Sequence, residues 1–212
     1  MEKVSLHTLS AENIWINRDI PIFHTNKAVD FNGGLNGDLG KGFNLSLGFS
    51  IAKLKHYYLY TNDSTDQTKF SIIYDDVART NFFASINFDK GNYSFRVRGD
   101  AFTYSAHQQQ QAWHLPKYKL DAYVVIKAGD KLSIVPRFIM MGGMKALDFR
   151  TTPDKIITLP TATDLSASIE YNVNDKLGAF VRLNNLLNSK YSVYYNYPVR
   201  GFQVMAGITW KF

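Results

Sequence analysis

The chain of 212 residues contains no cysteine, which excludes disulfide bonds, thiolate catalysis and cysteine-ligated metal sites. It also has no run that approaches the roughly 18–20 consecutive apolar residues of a membrane-spanning helix. Residues 1–8 lack the apolar segment of a secretory signal peptide. If the protein is exported, either its signal has been removed or these residues begin inside a longer polypeptide. We favour the second interpretation.

Acidic residues are fewer than basic ones. Lys and Arg number 24 and Asp and Glu 18, a net charge of +6. The basic residues are spread along the chain instead of forming a patch, so we do not expect nucleic-acid binding. Aromatic residues are abundant, with 13 Tyr and 15 Phe. Such residues flank the apolar band of transmembrane barrels, although a Tyr-rich soluble sandwich has a similar composition.

Alternating apolar and polar residues are the main structural signal. In the last twelve residues every even position is apolar, and the odd positions are mostly polar or small. A strand directs successive side chains to opposite faces, so this pattern predicts one apolar and one polar face. Residues 27–212 repeat it in regular hairpins. Residues 1–26 are weakly patterned and predict a first strand followed by a loop.

The connections alternate in length. Short turns are predicted near 38–41, 89–92, 129–131 and 174–176, and long loops near 61–67, 105–116, 148–160 and 188–200. Transmembrane barrels have short periplasmic turns and longer extracellular loops. The sequence therefore predicts an all-β, antiparallel transmembrane β-barrel with about ten strands present, as a single unit over residues 1–212.

The apolar face is expected to point outward. A lipocalin-like soluble barrel is the structural alternative, because its alternation is the same with the faces reversed. However, the apolar faces are free of charge for several positions in succession, as contact with lipid requires. The lumen would then carry Lys53 and Lys55 and, as candidate site residues, Arg96, Arg98, Asp100, Lys119, Asp121, Arg137, Glu170 and Arg182. These charges suit either cross-strand ion pairs or a mildly cationic lumen for anionic solutes.

Two stretches near the end of the chain carry a family resemblance. Gly207, Trp210 and Phe212 have the spacing of the assembly signal of bacterial outer-membrane barrels, with Met205 at a position that is usually polar. Upstream, the closing hairpin resembles that of TonB-dependent receptors, especially Bacteroidetes-like ones. The residues that carry this second resemblance are Asn184, Asn185, Leu187, Asn188, Tyr191, Tyr197 and Pro198.

The resemblance implies the C-terminal barrel portion of an outer-membrane receptor for nutrient uptake. Its partners would be outer-membrane lipid, the barrel-assembly machinery through the last strand, and TonB through an N-terminal plug that these residues do not include. Because this family's barrels have more than ten strands, the barrel would be part of a larger one. A complete small barrel acting as a passive channel or structural anchor remains an alternative, as does a soluble ligand-binding barrel.

Catalytic and metal-binding signals are weak. His107 and His114 lie in one predicted loop without the carboxylate and spacing of a metal site, so we expect them to be surface-loop residues. Ser105 is close to His107 in sequence, but no third partner of a catalytic set is evident. The sequence therefore predicts no enzyme activity, no metal and no cofactor.

Overall fold

The computed structural model describes residues 23–212. Nine strands form one antiparallel sheet in the order β1-β2-β3-β4-β5-β6-β9-β10-β13, and two separate hairpins pair β7 with β8 and β11 with β12. The described residues contain no helix long and apolar enough to cross a membrane. The strands are β1 (Asn26–Gly40), β2 (Phe43–Asn62), β3 (Phe70–Lys90), β4 (Tyr93–Ala106), β5 (Tyr118–Ala128), β6 (Leu132–Gly142), β7 (Lys145–Asp148), β8 (Lys155–Thr158), β9 (Ala162–Asn172), β10 (Leu177–Asn184), β11 (Ser192–Tyr194), β12 (Tyr197–Pro198) and β13 (Gln203–Trp210).

The sheet has an apolar face, which we call the outer face, and a polar inner face. Register keeps the apolar residues together: Ile86 pairs with Leu45 on one side and Val97 on the other, and Val97 in turn pairs with Ala122. Ile86 is 38% exposed, whereas Ser85 on the inner face is 4% exposed. The inner side chains therefore shield one another, as expected when a sheet curves with its polar face on the concave side.

The outer face ends in aromatic residues where the turns are short. Phe88 lies 4.7 Å from Phe43 and 5.4 Å from Phe95 between ring centroids. Trp210, which pairs with Leu177, is 58% exposed at the same end of the sheet. An aromatic belt at the edge of an exposed apolar band is typical of a barrel wall at a membrane interface.

Most of the fully buried apolar side chains lie at the opposite end. There the tip of the β2–β3 hairpin packs with residues 107–117, 143–161 and 185–202, and we call this assembly the loop layer. Its core consists of three clusters built on Phe70 and Ile72, on Met144, Ala146, Leu159 and Ala162, and on Leu59, Val77 and Trp113.

The predicted organisation is largely confirmed. Nine of the expected strands form the main sheet, and short connections alternate with long ones as predicted. The expected first strand falls largely in residues 1–22, outside the described residues.

Two details of the prediction are wrong. Strand β1 continues to Gly40 and so includes residues 38–40, which the sequence predicts to be part of the turn. The turn itself takes only Lys41 and Gly42, with φ of 57° and 93°. The loops predicted at 148–160 and 188–200 are not unstructured, because they contain β8 and the β11–β12 hairpin.

Candidate functional site

The eight charged residues predicted for the lumen all lie on the inner face. Asp100 is the register partner of Lys119, and Arg98 that of Asp121. Glu170 is paired with Ser133 and with Phe180, and Arg182 with Ser168. The prediction is wrong for Lys53 and Lys55. Both continue the alternation of Ile51 along β2, and Lys53 pairs with Ala78, which places them on the outer face near the loop layer.

Arg98 and Asp100 form a hydrogen-bonded unit on this face. Arg98 donates two hydrogen bonds of 2.8 Å to the Asp100 carboxylate, and Asn81 donates a third of 3.1 Å. The guanidinium also lies 4.1 Å from the centroid of the Phe83 ring. That ring covers Gly48, where a Cβ would come within 2.4 Å of it. The absence of a side chain at Gly48 therefore leaves room for the Phe83 ring, which in turn packs against Arg98.

A second ion pair crosses between neighbouring strands. Arg137 of β6 donates to Asp121 of β5 at 2.6 and 3.3 Å. Arg182 lies 5.0 Å from the centroid of the Phe180 ring. Within the described part of the chain, Arg96, Lys119 and Arg182 form no ion pair with a carboxylate. Among the eight predicted residues, these three cations therefore outnumber Glu170, the one acidic residue of the set outside the two ion pairs.

The loop layer encloses a polar cavity of about 310 Å³. Its wall combines the C-terminal end of β4 with residues 110–117 and the start of β7. The lining residues are Tyr104, Ser105, Ala106, Gln110, Gln111, Ala112, Leu115, Lys117, Gly143 and Lys145. Two lysines and two glutamines are thus among the residues that line a space of small-molecule size.

His114 connects three segments of the loop layer. Its Nδ1 lies 2.8 Å from the carbonyl oxygen of Tyr60, and the Tyr195 N–H donates to its Nε2 at 3.2 Å. Nδ1 must carry the proton, because a carbonyl only accepts and a backbone N–H only donates. The backbone N–H of His114 donates to the carbonyl oxygen of Lys145 at 2.8 Å. The neutral ring therefore joins β2, the 107–117 loop and the 185–202 loop.

Burial favours this neutral state. The His114 side chain is buried beside the rings of Phe70 and Tyr194. Burial lowers the pKa of His114 below its ordinary value and outweighs the opposing effect of the hydrogen bond to Tyr60. The histidine predicted to be a surface-loop residue is thus a buried structural one.

The residues of the closing hairpin have defined structural positions. Asn185 is buried, and its amide donates to the carbonyl oxygens of Ser189 and Arg200 at 3.0 Å. Asn188 accepts from the N–H of Phe202 at 3.1 Å, and Tyr191 donates to Asp164 at 3.3 Å. These contacts bend the chain back between β10 and β13, which are joined by the register pair Asn184 and Gln203.

The far end of the same segment docks across the loop layer. The Tyr197 hydroxyl donates to the carbonyl oxygen of Thr68, and its ring stacks on Phe70 with centroids 4.3 Å apart. Pro198 pairs with Ser192 between β12 and β11, whereas Leu187 is 51% exposed. The two tyrosines of the hairpin thus anchor it to different elements.

The C-terminal residues divide between the two faces. Gly207 lies on the inner face beneath Phe180, whose ring a Cβ would approach to 2.6 Å. Trp210 alternates to the outer face, and Phe212 lies beyond the end of β13, fully exposed. The edge strand therefore carries its exposed aromatics on the apolar side.

Sequence reasoning missed the cavity and the support of Arg98. Gly48 of β2, together with Asn81 and Phe83 of β3, meets Arg98 of β4 through register, which alternation alone does not specify. Lys117 and Lys145 lie in segments 28 positions apart that join only through loop packing. The Lys-Ile-Ile-Thr run at 155–158 is a β-branched signal that could have indicated β8.

No protein-family model matches the chain, and no curated protein matches its sequence. Its fold does match solved outer-membrane receptors. The pyoverdine receptor FpvA from Pseudomonas aeruginosa PAO1 has a TM-score of 0.66 at 14% identity, over 86% of this chain and 29% of the receptor. The siderophore receptor PirA from Acinetobacter baumannii has a TM-score of 0.67 at 15% identity, over 86% of this chain and 31% of the receptor.

The ferric-catecholate import receptor Fiu from K12 E. coli covers more of the chain. Its TM-score is 0.63 at 13% identity, over 96% of this chain and 29% of that one. These structures are TonB-dependent outer-membrane receptors. The chain therefore has the fold of a section of their antiparallel barrel, which confirms the predicted fold class, and it spans about three tenths of their length.

Proposed function

We propose that this chain forms the C-terminal part of the barrel wall of an outer-membrane, TonB-dependent receptor that imports a nutrient. The observation that carries the proposal is the register of the sheet, which keeps apolar residues on the outer face and the eight predicted charged residues on the inner face. The outer face would contact lipid. The inner face would border the solute path, and no enzymatic step is assigned to it.

The open sheet supports a section of a barrel over a small complete one. Strands β1 and β13 are its two edges and do not pair with each other within the described residues. An open edge in the hydrocarbon region would leave backbone N–H and C=O groups without partners, at a cost of several kcal/mol each. Further strands of the same polypeptide would therefore complete the barrel, and an N-terminal plug would couple it to TonB.

The last strand supports the proposed route of assembly. Gly207, Trp210 and Phe212 lie at the edge that the barrel-assembly machinery would engage. Gly207 is on the inner face, which would border the lumen, and Trp210 is on the outer face, which would contact lipid. A soluble ligand-binding barrel is disfavoured because its apolar residues would fill the interior, whereas Leu47 and Phe82, on strands paired on both sides, are 44% and 59% exposed.

Genetics can test the energy coupling without knowledge of the nutrient. A strain that lacks the full-length gene should lose growth on one limiting nutrient, and a strain that lacks TonB should lose growth on the same nutrient. Restoring the gene should restore growth only while TonB is present. Restored growth in the absence of TonB would contradict energy-coupled import and favour the passive channel.

A further inference from the structure

We infer that the cavity between β4, residues 110–117 and β7 is a binding site for a small oxyanion, carboxylate or phosphate. The inference deepens the proposed function and rests on it, because the occupant is assigned as the imported solute or one group of it. Its volume of about 310 Å³ lies at the lower end of the ~300–1,000 Å³ typical of ligand pockets. A small molecule fits, or one end of a larger one.

The lining has donors of the right sign and number. The lining residues include Lys117 and Lys145, which carry ammonium groups, Gln110 and Gln111, which carry carboxamides, and Tyr104, which carries a hydroxyl. Among the described residues that line the cavity, none is acidic. An ammonium group is a compact point charge with three donors and suits phosphate and carboxylate oxygens.

The two lysines are held in place by different contacts. The Lys117 backbone is bonded on both sides, since its N–H donates to Gly142 at 2.8 Å and its carbonyl oxygen accepts from Phe102 at 2.7 Å. The Lys145 ammonium lies 2.5 Å from the Thr158 hydroxyl, which leaves two of its three N–H groups for a ligand.

Gly143 permits the close approach of these segments. A Cβ at this position would come within 2.8 Å of the Lys117 Cβ, and its φ of 75° is one that side chains disfavour. A residue larger than glycine here would therefore displace this segment from Lys117.

A third cation stands next to the cavity. Arg79 is the register partner of Tyr104, and its Nε is buried without a hydrogen-bond partner among the described residues. A buried donor without a partner costs free energy. An anion bound beside Tyr104 would supply an acceptor to this region as well as countercharge to the lysines.

Binding should be measured on the full-length receptor, purified in detergent, by calorimetric titration. Citrate and pyrophosphate serve as separate probes for the carboxylate and phosphate forms of the ligand, and glucose serves as an uncharged probe. At least one anion should bind while glucose does not. The double substitution Lys117→Gln with Lys145→Gln should weaken that binding by tenfold or more.

Lys131→Gln is the matched control, because it removes one exposed lysine from the turn at the other end of the sheet. It should leave the affinity unchanged, and all variants should keep the parent melting temperature. Unchanged anion binding in the double variant, binding of neither anion, or equal binding of glucose would overturn the inference. None of these results affects TonB-dependent growth, so they leave the proposed function standing. Growth independent of TonB would contradict that function whatever the titration shows.

Discussion

His114 shows how one residue can couple several loops through its protonation state. Its neutral ring accepts from Tyr195 and donates to Tyr60, so protonation removes the acceptor that holds Tyr195. In the released loop the histidine regains a pKa of about 6.5, whereas the docked state has a lower one. The docked state binds fewer protons, so its stability is complete above about pH 6.5 and falls as the pH decreases towards the lowered value.

We therefore expect the Tyr195 amide to exchange faster with solvent at pH 5 than at pH 8, after correction for intrinsic exchange rates. Hydrogen–deuterium exchange on the full-length receptor measures this. The substitution His114→Gln should abolish the extra pH dependence, and His107→Gln, in the same connection but exposed, should preserve it. The same pH dependence in parent and His114→Gln protein would show that another group is responsible.

The Arg98–Asp100 pair gives a second prediction at the residue scale. Asp100→Leu removes the acceptor of three hydrogen bonds, from Arg98 and Asn81, and leaves the guanidinium without its partner. The pair is partly hydrated, with side-chain exposures of 30% and 10%. We therefore expect a loss of about 1–2 kcal/mol in the free energy of unfolding.

Urea unfolding in lipid vesicles measures that loss. The double variant Arg98→Leu with Asp100→Leu should lose less than the sum of the two single variants, because both remove the same interaction. Additive losses would mean that the two side chains do not stabilise each other.

At the scale of elements, the strands were predictable and the loop layer was not. Alternation along β4 or β9 depends only on which residues touch lipid and which touch the lumen, and this is written locally in the sequence. The position of His114 between Tyr60 and Tyr195 depends on contacts 54 and 81 residues apart. No local pattern encodes such separations, so a buried hub was predicted to be a surface histidine.

Strand β4 offers a direct test of the two faces. The chain has no cysteine, so single cysteines introduced along the strand can carry spin labels without competition from these residues. Labels at Phe95 and Val97 should be more accessible to oxygen, which partitions into lipid, and those at Ser94 and Arg96 to an aqueous nickel complex. The measurement is electron paramagnetic resonance on the receptor in vesicles. The opposite phase would indicate an apolar interior, as in a soluble barrel.

The β11–β12 hairpin should be held in place by its aromatic contacts with the tip of the β2–β3 hairpin. Tyr197 stacks on Phe70, and Tyr194 contacts the rings of Phe70 and Tyr60. Phe70→Ala should undock the hairpin and speed proteolytic cleavage within residues 188–200 on intact cells severalfold. Tyr171→Ala, at the short-turn end of the sheet, is the control. Equal cleavage of both variants would contradict this role of Phe70.

At the scale of the whole molecule, the central claim is that this sheet is one section of a larger barrel. Its two edges, β1 and β13, are unpaired with each other in residues 23–212, and the solved receptors that share its fold are about three times as long as the matched section. The resemblance of the closing hairpin pointed to the same conclusion from sequence. The alternation of apolar and polar residues could not lead to this conclusion, because the pattern is the same in every strand and does not indicate how many strands the barrel has.

The most direct test is the mass of the native polypeptide in purified outer membranes, detected with an antibody against residues 196–212. We predict a band several times heavier than the 24.2 kDa of this chain, which would agree with a receptor whose further strands and plug lie upstream. A band near 24.2 kDa in those membranes would contradict the account and indicate a small autonomous barrel.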